Sequence, residues 1–211
     1  MVDLERLLTV PEPAWPAVQS WIGAAKVPVE VLPCDPEARV EALQEVGITI
    51  GSALGAVVYE SGGLLVDHGW IRVRGSGHER LPRRVAADRS WLLIAEDIVG
   101  GFFALHPPEG GVMYLAPDTL EWESMESKYS AWLRWMMGGS TAKFYGAYRG
   151  PGWERQAAAL RPDQTYMILP PPWTKGPEFA LRSWVPTPAS ELYGLTLSFS
   201  DQLRNPPSAG V

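Results

Sequence analysis

Apolar residues along this chain change period twice. The changes divide it into a helical start, a stretch of short strands and a helical end. Residues 3–8 predict one short helical turn, broken by Pro11 and Pro13. Ala14, Val18, Trp21, Ile22 and Ala25 then fall on one face of a helix. Pro13 and Pro16 suit its first turn, where a missing N–H costs nothing. Residues 27–32 read as a strand with Val29 and Val31 on one side. Asp35 is placed to cap the next helix, Pro36 to open it and Gly47 to close it, with Ala38, Ala42, Leu43 and Val46 on its apolar face. Residues 48–52 make a connector or a short strand.

From residue 55 the period shortens. Residues 56–60 predict a strand, Ser61-Gly62-Gly63 a turn and residues 64–67 the returning strand. His68-Gly69 turns the chain into a strand over 70–74. There Ile71 and Val73 alternate with Trp70, Arg72 and Arg74, which predicts a sheet with one wetter face. A polar loop follows through residue 89 and carries His78, Glu79, Arg80, Arg83, Arg84 and Asp88. Residues 91–95 are apolar throughout and predict a central strand. Strands over 100–106 and 112–116 flank a turn at 107–111, and residues 120–123 pair back around Pro117-Asp118-Thr119. Such tight connections imply an antiparallel meander.

Helical spacing returns at Tyr129, Trp132, Leu133 and Met136. Gly138-Gly139 ends that helix. Ser140 or Thr141 caps another with Phe144, Ala147 and Tyr148, and a third carries Trp153, Ala157 and Leu160 up to Pro162. Residues 166–169 predict a strand, and Pro170-Pro171-Pro172-Trp173 an extended, stiff segment. Residues 189–203 fit either period; their length and the Thr187-Pro188 start favour a helix. The pattern predicts an α+β fold. One domain spans 1–204, with a mainly antiparallel, twisted central sheet of about six strands flanked by N- and C-terminal helices. Residues 205–211 form a flexible tail.

Composition narrows the function classes. The 211 residues suffice for one buried core, and ten tryptophans supply large anchors for short elements. The formal net charge is −6 and no run of Lys or Arg occurs, so the footprint of a nucleic-acid binder is missing. An acidic surface steers basic partners. Cys34 is alone, so no intrachain disulfide forms. The first residues lack the apolar core of a signal peptide, and no apolar run reaches membrane-spanning length. A cytoplasmic protein without membrane contact is expected.

Asp67, His68, His78 and Glu79 are the candidate catalytic cluster, since imidazoles and carboxylates on turns can hold a metal for hydrolysis. Their spacing matches no zinc or facial-triad pattern, and a turn before Gly69 explains His68 as well. Glu96 and Asp97 point to opposite faces of a strand and are poor partners; a hairpin turn accounts for them more simply. Glu121, Glu123 and Glu126 read as a solvated edge that blocks strand pairing. GSALG (51–55) and GSG (75–77) have neither a Walker lysine nor a GxGxxG frame, which argues against nucleotide binding. Cys34 precedes a helix start, which would favour its thiolate, although a small buried Cys is the commoner case. Ser61, Ser76 and Ser140 lie in no GxSxG elbow. No cofactor and no metal are assigned. The candidate binding residues are His78, Arg80, Arg83 and Arg84 in the polar loop, with Trp153 and Trp173 as exposed anchors after turns.

The blocks GGLLVDHGWIRVRGSG (62–77), GGFFALHP (100–107), VMYLAPDTLEWE (112–123) and YSAWLRWMM (129–137) resemble an uncharacterised bacterial family, a domain of unknown function. PPWTK (171–175) and residues 191–203 look like it too, so the resemblance covers nearly the whole chain from about residue 40. It brings no catalytic residues. A second likeness, of architecture rather than motif, is to the SUKH superfamily of Smi/Knr-type regulators and toxin-immunity proteins. The shared features are a helical start, the glycine-aromatic strand over 100–105, the strand over 112–116 and C-terminal helices. It implies a non-catalytic protein-binding module, although fold does not fix function.

The expected function is therefore a non-catalytic cytoplasmic protein-interaction module, immunity-like or regulatory. Its partner is another protein, with homodimerisation by strand addition a further option. The alternatives are the metal-assisted hydrolase, and a small-ligand binder with its pocket between the sheet and the 129–148 helices. Recognition is expected first in the polar loop over 78–88.

Overall fold

A computed structural model describes residues 3–88, 90–106 and 110–204. Helices α1 (Leu4–Leu8) and α2 (Trp15–Gly23) open the chain, followed by strand β1 (Val29–Leu32). Helix α3 (Pro36–Val46) has the ends its sequence predicts. Asp35 accepts from the backbone N–H of Glu37 and Ala38, and Gly47 closes the helix at φ 68°.

Residues 56–60 are not a strand. They belong to helix α4 (Ala53–Glu60), capped by the Ser52 hydroxyl, which accepts from the Gly55 N–H at 3.0 Å. Leu54, Ala56, Val57 and Val58 are all buried. A helix buried all round has no polar face, so its apolar run carries no helical period. Gly55 lets the helix start against the preceding chain, since a Cβ there would lie 2.1 Å from the Thr49 carbonyl oxygen.

Strands β2 (Gly63–Val66), β3 (Ile71–Arg74), β4 (Ala86–Asp88), β5 (Trp91–Asp97), β6 (Phe102–His106), β7 (Gly111–Leu115) and β8 (Trp122–Lys128) join β1. Among the described residues they form an eight-stranded sheet in the order β1-β2-β3-β5-β6-β7-β8, with β4 on β5. The pairings are antiparallel. The sheet exceeds the expected size because β4 lies inside the polar loop. β1, not residues 56–60, is the partner of β2. Strand β5 is central, as its apolar run predicts. Edge strand β8 leaves Glu123 and Glu126 exposed, with Glu121 exposed just before it.

Helices α5 (Tyr129–Met137), α6 (Thr141–Phe144) and α7 (Trp153–Ala159) follow. A second, two-stranded sheet pairs β9 (Gln164–Leu169) with β10 (Ser183–Pro188), and helix α8 (Ala189–Arg204) completes the description. Strand β10 was not predicted, because its SWVPTP sequence carries two prolines. Residue 89, residues 107–109 of the expected turn and the expected tail over 205–211 lie outside the described residues.

One face of the sheet is apolar. Val73, Ala95, Phe103 and Tyr114 pack there with Trp70, Trp132 and Met136. The other face carries Arg72 opposite Glu96, Glu96 opposite Phe102, and Phe102 opposite Leu115. Ala189, Tyr193 and Leu197 of α8 cover the Phe102–Leu115 end. This is the face expected to be wetter, yet Arg72 and Arg74 are each only 5% exposed, and Trp70 joins the core instead.

Candidate functional site

The buried charges decide which groups remain free. Glu96 is 1% exposed. Arg74 donates to its Oε2 from Nη2 at 2.7 Å and from Nε at 3.2 Å, and Arg83 donates from Nε at 2.8 Å and from Nη2. Burial pushes the Glu96 carboxyl up, but Arg74 and Arg83 together outweigh it and hold the pKa at about 2. Arg72 donates from Nη1 to the carbonyls of Gln164 at 2.6 Å and of Arg161 and Pro162 at 3.4 Å. On the opposite face, Asp97 accepts from the hydroxyls of Tyr114 (2.8 Å) and Tyr145 (2.9 Å) and from the N–H groups of Val99 (3.0 Å) and Gly101 (2.7 Å). Burial nevertheless raises its pKa above the ordinary value. The hairpin-turn reading of this pair is thus corrected. Both lie on β5, buried and pointing apart, each with its own partners.

The four groups proposed for catalysis are dispersed. Asp67 is buried, accepts from the Thr141 hydroxyl at 2.9 Å and is ion-paired with Arg149 at 2.7 Å. Arg149 in turn lies over the rings of Trp70 (4.5 Å) and Trp153 (4.1 Å). His68 is exposed at φ 60° and meets Trp153 edge-on at 5.7 Å. His78 accepts the Arg80 N–H on Nδ1 at 3.1 Å, and Glu79 stands exposed on the same turn. Among the described residues no group of three or more His, Cys, Asp or Glu is placed to hold a metal.

The polar loop is tied down rather than held out. Arg80 grips Glu30 with both terminal nitrogens, Arg83 meets Glu96, and Arg84 pairs with Glu41 (3.4 Å) and Glu45 (2.7 Å). These cations face the protein's own carboxylates. Trp153 is half-buried against Trp70 and Arg149.

Of the residues proposed for catalysis or binding, Trp173 alone lines an apolar pocket of about 140 Å³. Strand β9 forms one wall through Tyr166 and Ile168, and α8 the other through Leu192, Leu195 and Phe199. The β5–β6 turn closes the end: at Gly100 (φ 87°) a Cβ would lie 2.8 Å from the Leu192 side chain. Trp173 and Phe199 meet at 5.5 Å between ring centroids at the rim. The Pro-Pro-Trp segment is held by Arg182, whose guanidinium donates to the carbonyls of Pro170 (2.9 Å), Pro171 (2.6 Å), Thr174 (3.1 Å) and Pro177 (2.9 Å). Nothing in the sequence marks Arg182. Its role depends on a strand, β10, that local pattern does not reveal. This pocket lies away from the helices over 129–148; where the sequence places a ligand site, between the sheet and those helices, a more open hollow of about 490 Å³ is lined by Leu105 of β6 and by Tyr129 and Ser130 of α5.

An α+β domain, with helices packed on both faces of an antiparallel sheet and an apolar pocket at its C-terminal side, is the class that fold and site define. The chain matches the model of the family described as "Protein of unknown function DUF2625" over residues 4–186 and belongs to that family. The match ends before α8. The chain is 36% identical over 198 residues to the uncharacterized protein YbfG of Escherichia coli (strain K12), covering 86% of this chain and 90% of that protein. It is 29% identical over 187 residues to an uncharacterized protein of Haemophilus influenzae, covering 81% and 82% respectively. No solved structure matches. These findings support the resemblance carried by the sequence blocks. The SUKH likeness gains nothing from them.

Proposed function

We propose that this domain is a non-catalytic binding module that takes an apolar side chain of a partner protein into the pocket between β9 and α8. The observation that carries this reading is a pre-built apolar pocket walled by Tyr166, Ile168, Leu192, Leu195 and Phe199 with Trp173 at its rim. Size decides between ligand classes. A pocket of about 140 Å³ matches one large side chain or a benzene-sized group, which fits a cavity of about 150 Å³. Small-molecule sites run from roughly 300 to 1,000 Å³. A rim of aromatic rings around a desolvated centre is the usual setting of an interface anchor, and Arg182 fixes the rim before binding, which lowers the cost of ordering it. The net charge of −6 favours a basic partner. A reducing, cytoplasmic setting suits the lone, half-buried Cys34. The hydrolase alternative has no assembled site among the described residues, since Asp67 is engaged with Thr141 and Arg149.

Affinity purification of the tagged chain from its native cell tests the proposal. Wild type is expected to retain a stoichiometric protein partner, and Phe199→Glu to lose it at an unchanged melting temperature, because Phe199 is 40% exposed. Equal recovery with the variant, or no stoichiometric partner with wild type, contradicts it.

A further inference from the structure

We infer that the hollow between β3, the turn after β2 and the C-terminal end of α7 binds a small oxyanion, a carboxylate or phosphate group on a molecule with an apolar body. The site is separate from the apolar pocket. Its volume is about 330 Å³, within the roughly 300–1,000 Å³ of small-molecule sites. His68, Arg72 and Arg80 line one side, and Leu65, Ala157 and Leu160 the other.

Arg72 carries the argument. It is 5% exposed, yet it has no carboxylate partner within ion-pair distance among the described residues. Three backbone carbonyls occupy Nη1 alone. Nε and Nη2, the parallel edge that grips an oxyanion with two hydrogen bonds, have no acceptor among the described residues. Arg72 lines the hollow, so its side chain borders the space an oxyanion would fill.

The surroundings are positive. Arg74 and Arg83 converge on Glu96 and Arg72 lies opposite it, so three guanidinium groups share one carboxylate in this cluster, in a chain of net charge −6. Glu96, and more weakly Asp163, act on Arg72 only through space; Glu96 is bonded to Arg74 and Arg83, and Asp163 pairs with Arg161 at 3.6 Å. A buried cation that shares its only near carboxylate with two other arginines is costly, and burial lowers the Arg72 pKa. An oxyanion in the hollow would relieve that cost. Arg80 is held by Glu30, so it adds hydrogen-bond direction more than net charge. Glu30 and Glu154 line the adjoining hollow and confine an anion to the Arg72 end.

Calorimetric titration of the full chain with inorganic phosphate, and separately with acetate, at constant ionic strength tests the inference. Saturable binding of at least one probe is expected, and the preferred probe identifies the headgroup. Arg72→Gln is expected to weaken binding about tenfold or more. It also removes structural hydrogen bonds, so Ala158→Glu is the second variant. Ala158 is exposed on α7 and lines the hollow, and a carboxylate there should weaken binding about tenfold at an unchanged melting temperature. Phe199→Glu should bind as wild type, which separates this site from the apolar pocket. No saturable heat with either probe, or wild-type affinity in Ala158→Glu, overturns the inference.

Discussion

Replacing Glu96 by Gln leaves Arg74 and Arg83 buried against a neutral amide. Breaking a buried pair from one side costs about 3–5 kcal/mol, and urea unfolding of Glu96→Gln near neutral pH should show a loss of that order. The sign of its pH dependence follows from the lowered pKa. Glu96 titrates at about 2 in the fold against an ordinary 4.5, so its contribution is complete above 4.5 and disappears as pH falls toward 2. The stability gap between wild type and variant should therefore close over that interval. A gap that stays constant would show that the carboxylate charge is not what the arginines hold. Asp97 has the opposite sign: its pKa is raised, so its ionised form costs stability and acidification relieves it. Tyr114→Phe removes one of its donors and should cost about 1–3 kcal/mol in the same assay. The alternation of a strand made the divergence of Glu96 and Asp97 legible from sequence. Their burial was not, because Arg74 and Arg83 lie 22 and 13 residues away along the chain.

Among the elements, helices with caps were the most legible. Asp35, Pro36 and Gly47 mark α3 at both ends through local hydrogen bonds and φ preferences, and Asp35→Ala should cost about 1 kcal/mol in thermal unfolding. Elements without a local signature were misread or missed. Helix α4 is apolar on every side, and β10 exists because it pairs residue by residue with β9 despite its prolines. The segment between β9 and β10 depends on Arg182 in the same non-local way. Arg182→Met should free the carbonyls of Pro170, Pro171, Thr174 and Pro177 and speed tryptic cleavage after the exposed Lys175, while cleavage elsewhere stays slow. Unchanged cleavage at Lys175 would mean that the prolines alone hold the segment.

At the scale of the whole molecule, the sheet separates two environments. One face is a continuous apolar core with Asp97 bonded inside it. The other holds the arginine cluster at the β3–β5 side and α8 over Phe102 and Leu115. The antiparallel order and the central place of β5 were legible because they follow from local turns and an unbroken apolar strand. The candidate site was legible only through Trp173. The pocket around it is made by four stretches distant in sequence, and the arginines expected to recognise a partner are matched by Glu30, Glu41, Glu45 and Glu96.

The central claim, recognition at the β9–α8 pocket, is tested most directly by position-specific photocrosslinking in the native cell. A photoreactive residue placed at Phe199 on the pocket rim is compared with one at Glu126 on the exposed edge of β8. The expected result is one discrete protein adduct from position 199 and none of the same mass from position 126. The same adduct from both positions, or none from 199, would contradict recognition at this pocket.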